Sequence, residues 1–149
     1  MRAFAVVLIV LVACGGAQQS VDISGKLAKE NQITALWTQI RDWRREGHMP
    51  LDPPQNMLFE YRNQSVKQAA RACPDGHEVP PVCNDVCSIA DDICDNAEAI
   101  CNIAAELGPN DEYAQEKCAS AKASCRDAKQ RCCGCSKSSS QPAAPPEGM

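Results

Sequence analysis

The chain has 149 residues, which is enough for one domain of modest size. It carries 15 basic and 19 acidic residues, a formal net charge of −4, so the composition argues against nucleic-acid binding. With only 2 Phe, 2 Tyr and 2 Trp, the chain cannot build a large aromatic core, whereas its 11 cysteines offer covalent cross-links.

The first 13 residues, MRAFAVVLIVLVA, have the organisation of an export signal. Arg2 supplies a positive charge, and a continuous apolar run from Ala3 to Ala13 follows it. That run is much shorter than the ~20 residues needed to span a bilayer. Residues 1–13 are therefore predicted to be a signal peptide rather than a membrane helix.

The signal segment ends in LVAC, residues 11–14, and two glycines follow. This motif resembles the lipobox of bacterial lipoproteins, in which leucine and two small or aliphatic residues precede an invariant cysteine. The resemblance implies that Cys14 receives a thioether-linked diacylglycerol, that the chain is cut before Cys14, and that the new amine is acylated. Two or three acyl chains would anchor the protein stably in a membrane.

The residue after the lipidated cysteine bears on location. In the enteric pattern an aspartate there retains the lipoprotein at the inner membrane, whereas this chain has Gly15. The resemblance thus implies a protein on the outer membrane, facing the periplasm or the cell surface. Its implied partners are the membrane, through the acyl anchor on Cys14, and an unidentified envelope protein. The alternative is an ordinary secretory signal cut after Ala17, which would leave no lipid.

Either route delivers the chain to an oxidising compartment, where cysteines form disulfides. Setting Cys14 aside leaves ten of the 11 cysteines, the even number that a fully paired set requires. Losing Arg2 reduces the 15 basic residues to 14 against 19 acidic ones, so the exported chain remains acidic.

Residues 14–20 are predicted to be a lipidated tether, and a first helix is predicted over residues 21–46. Its apolar residues recur at helical spacing, and Gly47 can end it. These residues are Ile33, Leu36, Trp37, Ile40 and Trp43. The basic stretch RDWRREGH could rest on an anionic membrane surface. We favour the alternative, in which both tryptophans pack inward and the arginines stay solvated.

A second helix is predicted to run to about residue 72, with Asp52 as its N-cap and Pro53 at the first helical position. One side of it carries Leu58, Tyr61, Ser65 and Ala69. Residues 73–81, CPDGHEVPP, indicate a turn and linker.

A third helix is predicted over residues 82–107. The sequence GPND then ends it at Gly108 and starts a fourth helix with Asn110 as N-cap, running to about residue 132. Residues 136–149 have the composition of a disordered tail. The fold class is therefore all-α with about four helices, in one Cys-rich domain over residues 21–135. It divides into N-terminal helices at 21–72 and a disulfide hairpin at 73–135.

Six cysteines in the third and fourth helices share one spacing of seven residues. Such residues lie on one face of a helix, about 10.5 Å apart along its axis. In an antiparallel hairpin, opposed residues have a constant sum of residue numbers. Three pairs share one sum: Cys101–Cys118, Cys94–Cys125 and Cys87–Cys132. We therefore predict a ladder of three disulfides.

Small residues between the cysteines favour the same arrangement, because a disulfide holds two helices close together. Alanines occupy the seam at Ala90, Ala97, Ala104, Ala114, Ala121 and Ala128. The third helix also carries an apolar stripe of Val86, Ile93, Ile100 and Leu107. The fourth has Lys117, Ser124 and Arg131 at the matching positions. These patterns predict that the third helix is central, that the first two helices pack on it, and that the fourth is held mainly by disulfides.

Four cysteines remain after the ladder. Cys83 lies one turn before Cys87, which suggests the pair Cys83–Cys135, and this leaves Cys73–Cys133. Cys133 and Cys135 could also exchange roles.

The cysteines are also compatible with three functions other than structural disulfide pairing. The chain is distantly similar to cysteine-lined helical copper stores, which implies Cu(I) sequestration as one alternative. Thiol–disulfide exchange at CCGC, residues 132–135, is a second. Zinc held by Cys73, His77 and Cys83 is a third, although a lone histidine in such a loop, like His48, is more often solvated.

No pattern of catalytic residues appears in the sequence. The acidic residues of the third helix fit a solvated face better than a paired-carboxylate site. They are Asp91, Asp92, Asp95 and Glu98. We therefore predict a non-enzymatic envelope protein with a structural or protein-interaction role and with no metal or cofactor.

Overall fold

A computed structural model describes residues 23–135, and within this range the chain is helical without a β-strand. The helices are α1 (Ile23–Glu46), α2 (Gln55–Tyr61), α3 (Val66–Ala70), α4 (Asn84–Leu107) and α5 (Glu112–Gly134), and a 3₁₀ turn (Pro81–Cys83) precedes α4. The all-α class and the C-terminal helical hairpin are confirmed. The predictions for the signal peptide, for Cys14 and its tether, and for the tail at 136–149 lie outside the described residues.

The predicted second helix is two short helices, because the chain turns at residues 62–65. Ser65 caps α3 through a capping box, in which its hydroxyl accepts from the Gln68 amide and the Gln68 side chain accepts from the Ser65 amide. The prediction that Ser65 lies on a helix face was wrong. So was the Asp52 cap, since α2 begins at Gln55, after Pro53 and Pro54, without a side-chain cap.

The sequence GPND ends α4 and starts α5 as predicted, except that a different residue caps α5. Gly108 ends α4 with a φ of 92°, a conformation that favours glycine. The N-cap of α5 is Asp111 rather than Asn110, and its carboxylate accepts from the Ala114 amide at 3.0 Å. Asp111 also pairs with Lys26 of α1 at 2.8 Å.

The helices are arranged around α5. Helix α4 lies antiparallel to it, α1 packs against both, and α2 and α3 cover its remaining side. The expectation that the N-terminal helices pack on a central α4 holds for α1, which packs more extensively on α4 than on α5. It was wrong for α2 and α3, which pack mainly on α5. Alanine and serine let neighbours approach α5 from several sides, so it is buried without a leucine or isoleucine stripe.

The C-terminal end of α1 corrects the prediction that its arginines stay solvated. Trp37 is buried and Trp43 is partly buried, as expected of an inward stripe. Arg44, however, is fully buried, whereas Arg45 is exposed. The charge pattern of one helix could not show that α5 supplies an acidic partner for Arg44.

Helix α1 runs antiparallel to α4, which gives the hairpin two distinct ends. At the turn end, Lys26 pairs with Asp111 and Lys29 with Glu106. At the open end, Gly47 lies beside Val82 of the 3₁₀ turn and the last residues of α5. The chain therefore enters the described domain at the turn end and leaves it at the open end, after Cys135.

Candidate functional site

Three disulfides join α4 to α5 as a ladder. The Cα atoms are 4.7 Å apart in Cys101–Cys118, 4.6 Å in Cys94–Cys125 and 4.7 Å in Cys87–Cys132. These are the pairs that share one sum of residue numbers. The near-constant spacing shows that the two helices keep the same separation along the whole hairpin.

The alanine seam accounts for this close approach. Ala97 and Ala121 are fully buried, as are Ala90 and Ala114, and Ala104 and Ala128 are nearly so. A larger side chain at these positions would push the helix axes apart. The small alanines therefore allow the close approach that the three disulfides require.

Two further disulfides close the open end of the hairpin. Cys83 joins Cys135, and Cys73, which follows α3, joins Cys133. No two cysteines of the CCGC segment are bonded to each other, since Cys132 is held by Cys87. Each of its sulfurs instead ties α5 to a different part of the chain, so this segment does not form the self-contained dithiol pair of an exchange site.

The disulfide nearest the turn end borders a groove. We call this the ladder groove; its volume is about 310 Å³. It is lined by Cys101 and Cys118, by Lys67 and Lys122, by Glu98 and Asn102, and by Gln64, Ser65 and Val66 at the start of α3. Cys101 is only partly buried, so this disulfide meets solvent along the groove.

Lys122 forms one wall of the ladder groove. It is buried, and its ammonium donates to the backbone carbonyls of Arg62 at 2.5 Å and Gln64 at 3.0 Å. Burial lowers the pKa of Lys122, because removing the ammonium from water disfavours its charged form. Lys122 thereby holds the turn between α2 and α3 against α5, one helical turn beyond Cys118.

Arg44 forms a second buried polar centre, toward the open end. Its guanidinium donates to Asp127 at 2.9 Å and to the carbonyl of Pro50 at 2.7 Å, with a longer bond to that of Asp52. Desolvation lowers the pKa of Arg44, and the neighbouring Asp127 carboxylate opposes this effect. The arrangement links α1, the loop after it and α5.

The cysteines proposed as metal ligands are all bonded in disulfides. Cys73 and Cys83 lie in separate disulfides, so neither offers a thiolate to zinc beside His77. The ladder sulfurs are likewise bonded to one another and cannot act as thiolate ligands for Cu(I). Within residues 23–135 no group of three or more metal-binding side chains is brought together.

The acidic residues of α4 lie on its solvent face, as the sequence indicated. Asp91, Asp92, Asp95 and Glu98 are all exposed, and Asp91 pairs with Lys129 of α5. His48 is exposed as well and adopts a φ of 53° in the turn after α1. None of these side chains is held in a buried or convergent arrangement.

Comparisons with known proteins found no matching family model, and no curated protein or solved structure matches the chain. Within the described helices, none is both long and apolar enough to cross a membrane.

Sequence reasoning missed both Lys122 and Arg44. Lys122 lies four residues after Cys118, on the side of α5 that faces the turn between α2 and α3. The long chains of lysine and arginine can pack along apolar surface while their charged ends bond elsewhere. Lys122 donates to backbone carbonyls in the turn at residues 62–65. Because this turn was predicted to be helix, the sequence analysis could not identify those carbonyls as its partners.

Proposed function

We propose that this protein is a non-catalytic lipoprotein of the cell envelope, anchored through Cys14, that presents a rigid helical domain to a protein partner. One observation carries the proposal: the entry point of the chain and an apolar surface groove lie at opposite ends of the hairpin. The lipobox resemblance supports the anchor. The five disulfides support the rigidity of the domain between its two ends.

The turn end suits attachment. Ile23 begins α1, and the nearby pairs Lys26–Asp111 and Lys29–Glu106 fasten this end of α1 beside the α4–α5 turn. Residues 15–22 join Cys14 to Ile23, so the anchor is attached to the domain at this end. The 23 residues of α5 extend about 35 Å from there to the open end.

The open end suits contact with a partner. A groove of about 520 Å³ is lined there by Gly47, Val82, Asp85, Val86, Arg131, Gly134 and Cys135. Val82 is 52% exposed and the neighbouring Val79 is 38% exposed. Exposed apolar residues flanked by charged ones are typical of protein-contact surfaces.

The anchor is tested by replacing Cys14 with serine. The wild-type protein should sediment with membranes and carry acyl mass on its N-terminal peptide, whereas Cys14→Ser should lose both properties. Cys73→Ser is the matched control, since it removes a sulfur without touching the lipobox and should leave acylation intact. A Cys14→Ser protein that stays in the membrane fraction would overturn the lipid anchor.

The state of the ten remaining cysteines separates this role from metal storage. The native exported protein is alkylated with and without prior reduction, and its mass is measured. We expect no alkylation before reduction and ten modified thiols after it. Ten free thiols that carry copper would instead support Cu(I) sequestration and contradict the disulfide ladder.

A further inference from the structure

We propose that Cys101–Cys118 is a reducible disulfide that exchanges with a small anionic thiol bound in the ladder groove. The other four disulfides would be structural. The inference does not depend on the lipid anchor or on the open end. It also moves thiol exchange away from CCGC, where the sequence first suggested it.

Access for a thiol is the first argument. Attack on a disulfide needs an approach to one of its sulfurs. Both cysteines of this pair line the ladder groove, and Cys101 is the more exposed of the two. The next pair inward is closed off, since Cys125 is fully buried and Cys94 nearly so.

Charge is the second argument. Lys67 and Lys122 line the groove against one carboxylate, Glu98, so the lining has a positive balance. Lys67 is exposed and makes no ion pair among the described residues. Positive groups attract an anionic thiolate and stabilise the thiolate that departs.

The position of this disulfide in the hairpin is the third argument. It spans the smallest sequence separation of the five, 17 residues, and the turn at Gly108 joins the same helix ends. Breaking it leaves α4 and α5 connected by that turn and by Cys94–Cys125. Reduction here can therefore be reversed without releasing either helix.

Cys73–Cys133 is the main competing candidate, because both of its cysteines are partly buried. In Cys83–Cys135 only Cys135 is partly buried, whereas Cys83 is 1% exposed. The two cations that precede Cys133 on α5 both lie beside a carboxylate, Lys129 beside Asp91 and Arg131 beside Asp127. Breaking this disulfide would also release the segment after α3 from α5. Both differences favour Cys101–Cys118 as the exchanging pair.

The exchange is a two-step transfer of two electrons. A thiolate attacks Sγ of Cys101, the bond to Cys118 breaks, and Cys118 leaves as a thiolate with the bonding electron pair. A second thiolate then attacks the small-molecule sulfur of the mixed disulfide that Cys101 carries. This releases the Cys101 thiolate and the oxidised small-molecule disulfide.

The test uses the native oxidised protein in glutathione buffers with an increasing fraction of reduced glutathione. Samples are quenched with acid, labelled with N-ethylmaleimide and mapped by peptide mass. We expect Cys101 and Cys118 to be labelled at a lower reduced fraction than all other cysteines, with a transient glutathione adduct on Cys101. First labelling of Cys73 and Cys133, or simultaneous labelling of all ten, would overturn the proposal.

A matched pair of variants tests the role of groove charge. Lys67→Gln should slow adduct formation at Cys101 about twofold, because one groove cation is lost. Lys129→Gln makes the same charge change away from the groove and should leave that rate unaltered. Equal slowing in both variants, or none in Lys67→Gln, would contradict the electrostatic contribution.

The double variant Cys101→Ser/Cys118→Ser tests reversibility. It should keep the helical circular dichroism of the wild type and four intact disulfides. Loss of helical structure would show that this disulfide is structural and would overturn its assignment as an exchanging pair.

Discussion

Helix α5 is held on one side by α4 and on the others by α1, α2 and α3, and the two contacts differ in kind. Against α4, the contact is covalent and repetitive, with disulfides alternating with alanines. Against the N-terminal helices it is irregular and, apart from the Cys73–Cys133 disulfide after α3, non-covalent, and buried cations bridge the elements. Arg44 and Lys122 supply those bridges. A repeated contact can be specified by spacing alone, whereas an irregular one depends on individual side chains meeting their partners.

The largest effect is expected from breaking the irregular contact. Arg44→Ala should lower the free energy of unfolding by about 3–5 kcal/mol, because it leaves Asp127 and two backbone carbonyls without their donor. Chemical denaturation of the oxidised protein, followed by circular dichroism, measures this. Arg45→Ala on the same helix is the control, with an expected change within about 0.5 kcal/mol. Equal losses in the two variants would contradict the role of Arg44.

Removing the middle rung of the ladder should have a somewhat smaller effect. Cys94→Ala combined with Cys125→Ala should cost about 2–3 kcal/mol, because the unfolded chain regains freedom between the two remaining rungs. The same denaturation experiment under non-reducing conditions checks it. If unfolding is unchanged, the ladder contributes rigidity but not equilibrium stability.

A larger residue in the seam should strain the covalent contact. Ala97→Leu should cost about 1–3 kcal/mol, because the disulfides prevent the helices from moving apart to accept it. The control is Ala105→Leu on the exposed face of α4, with an expected change within about 0.5 kcal/mol. The difference between the two thermal midpoints measures how tightly the seam is packed.

The smallest effect concerns Asp111, where the two regions meet. Asp111→Ala should cost about 1 kcal/mol at neutral pH through loss of the helix cap. The Lys26 ammonium, together with the Ala114 amide, holds the pKa of Asp111 below its ordinary value of 3.8. Its contribution is therefore complete above that value and is lost as the pH falls through the lower pKa of the folded state.

A pH series of wild type and Asp111→Ala measures this contribution. The stability difference should be constant down to about pH 4 and should shrink below it. Lys26→Gln removes the ion pair but keeps the Asp111 cap. Its loss of stability relative to the wild type should therefore be smaller than that of Asp111→Ala. If the stability difference between wild type and Asp111→Ala grew toward low pH, the ionised Asp111 carboxylate would not be the source of the stabilisation.

The sequence predicted the hairpin well and the layer around α5 poorly, for identifiable physical reasons. The spacing of Cys87, Cys94 and Cys101 repeats the helical period, so the facing set on the next helix follows from local geometry. The break at residues 62–65 was missed because the apolar spacing of Leu58, Tyr61 and Ala69 favoured one continuous helix. The local signal for the break was Ser65 followed three residues later by Gln68, the pattern of a capping box. The candidate site depends on that break, since Lys122 bonds to carbonyls within it.

The sequence by itself determined the helical class, the facing cysteines, the alanine seam and the stop at Gly108, because each depends on residues within one hairpin. Only the tertiary structure decided that α5 is central, that Arg44 is buried beside Asp127, and that Cys101 lies in a groove beside Lys67. These features arise where elements distant in sequence meet. The cost of burying a charge depends on the partners that the fold brings to it.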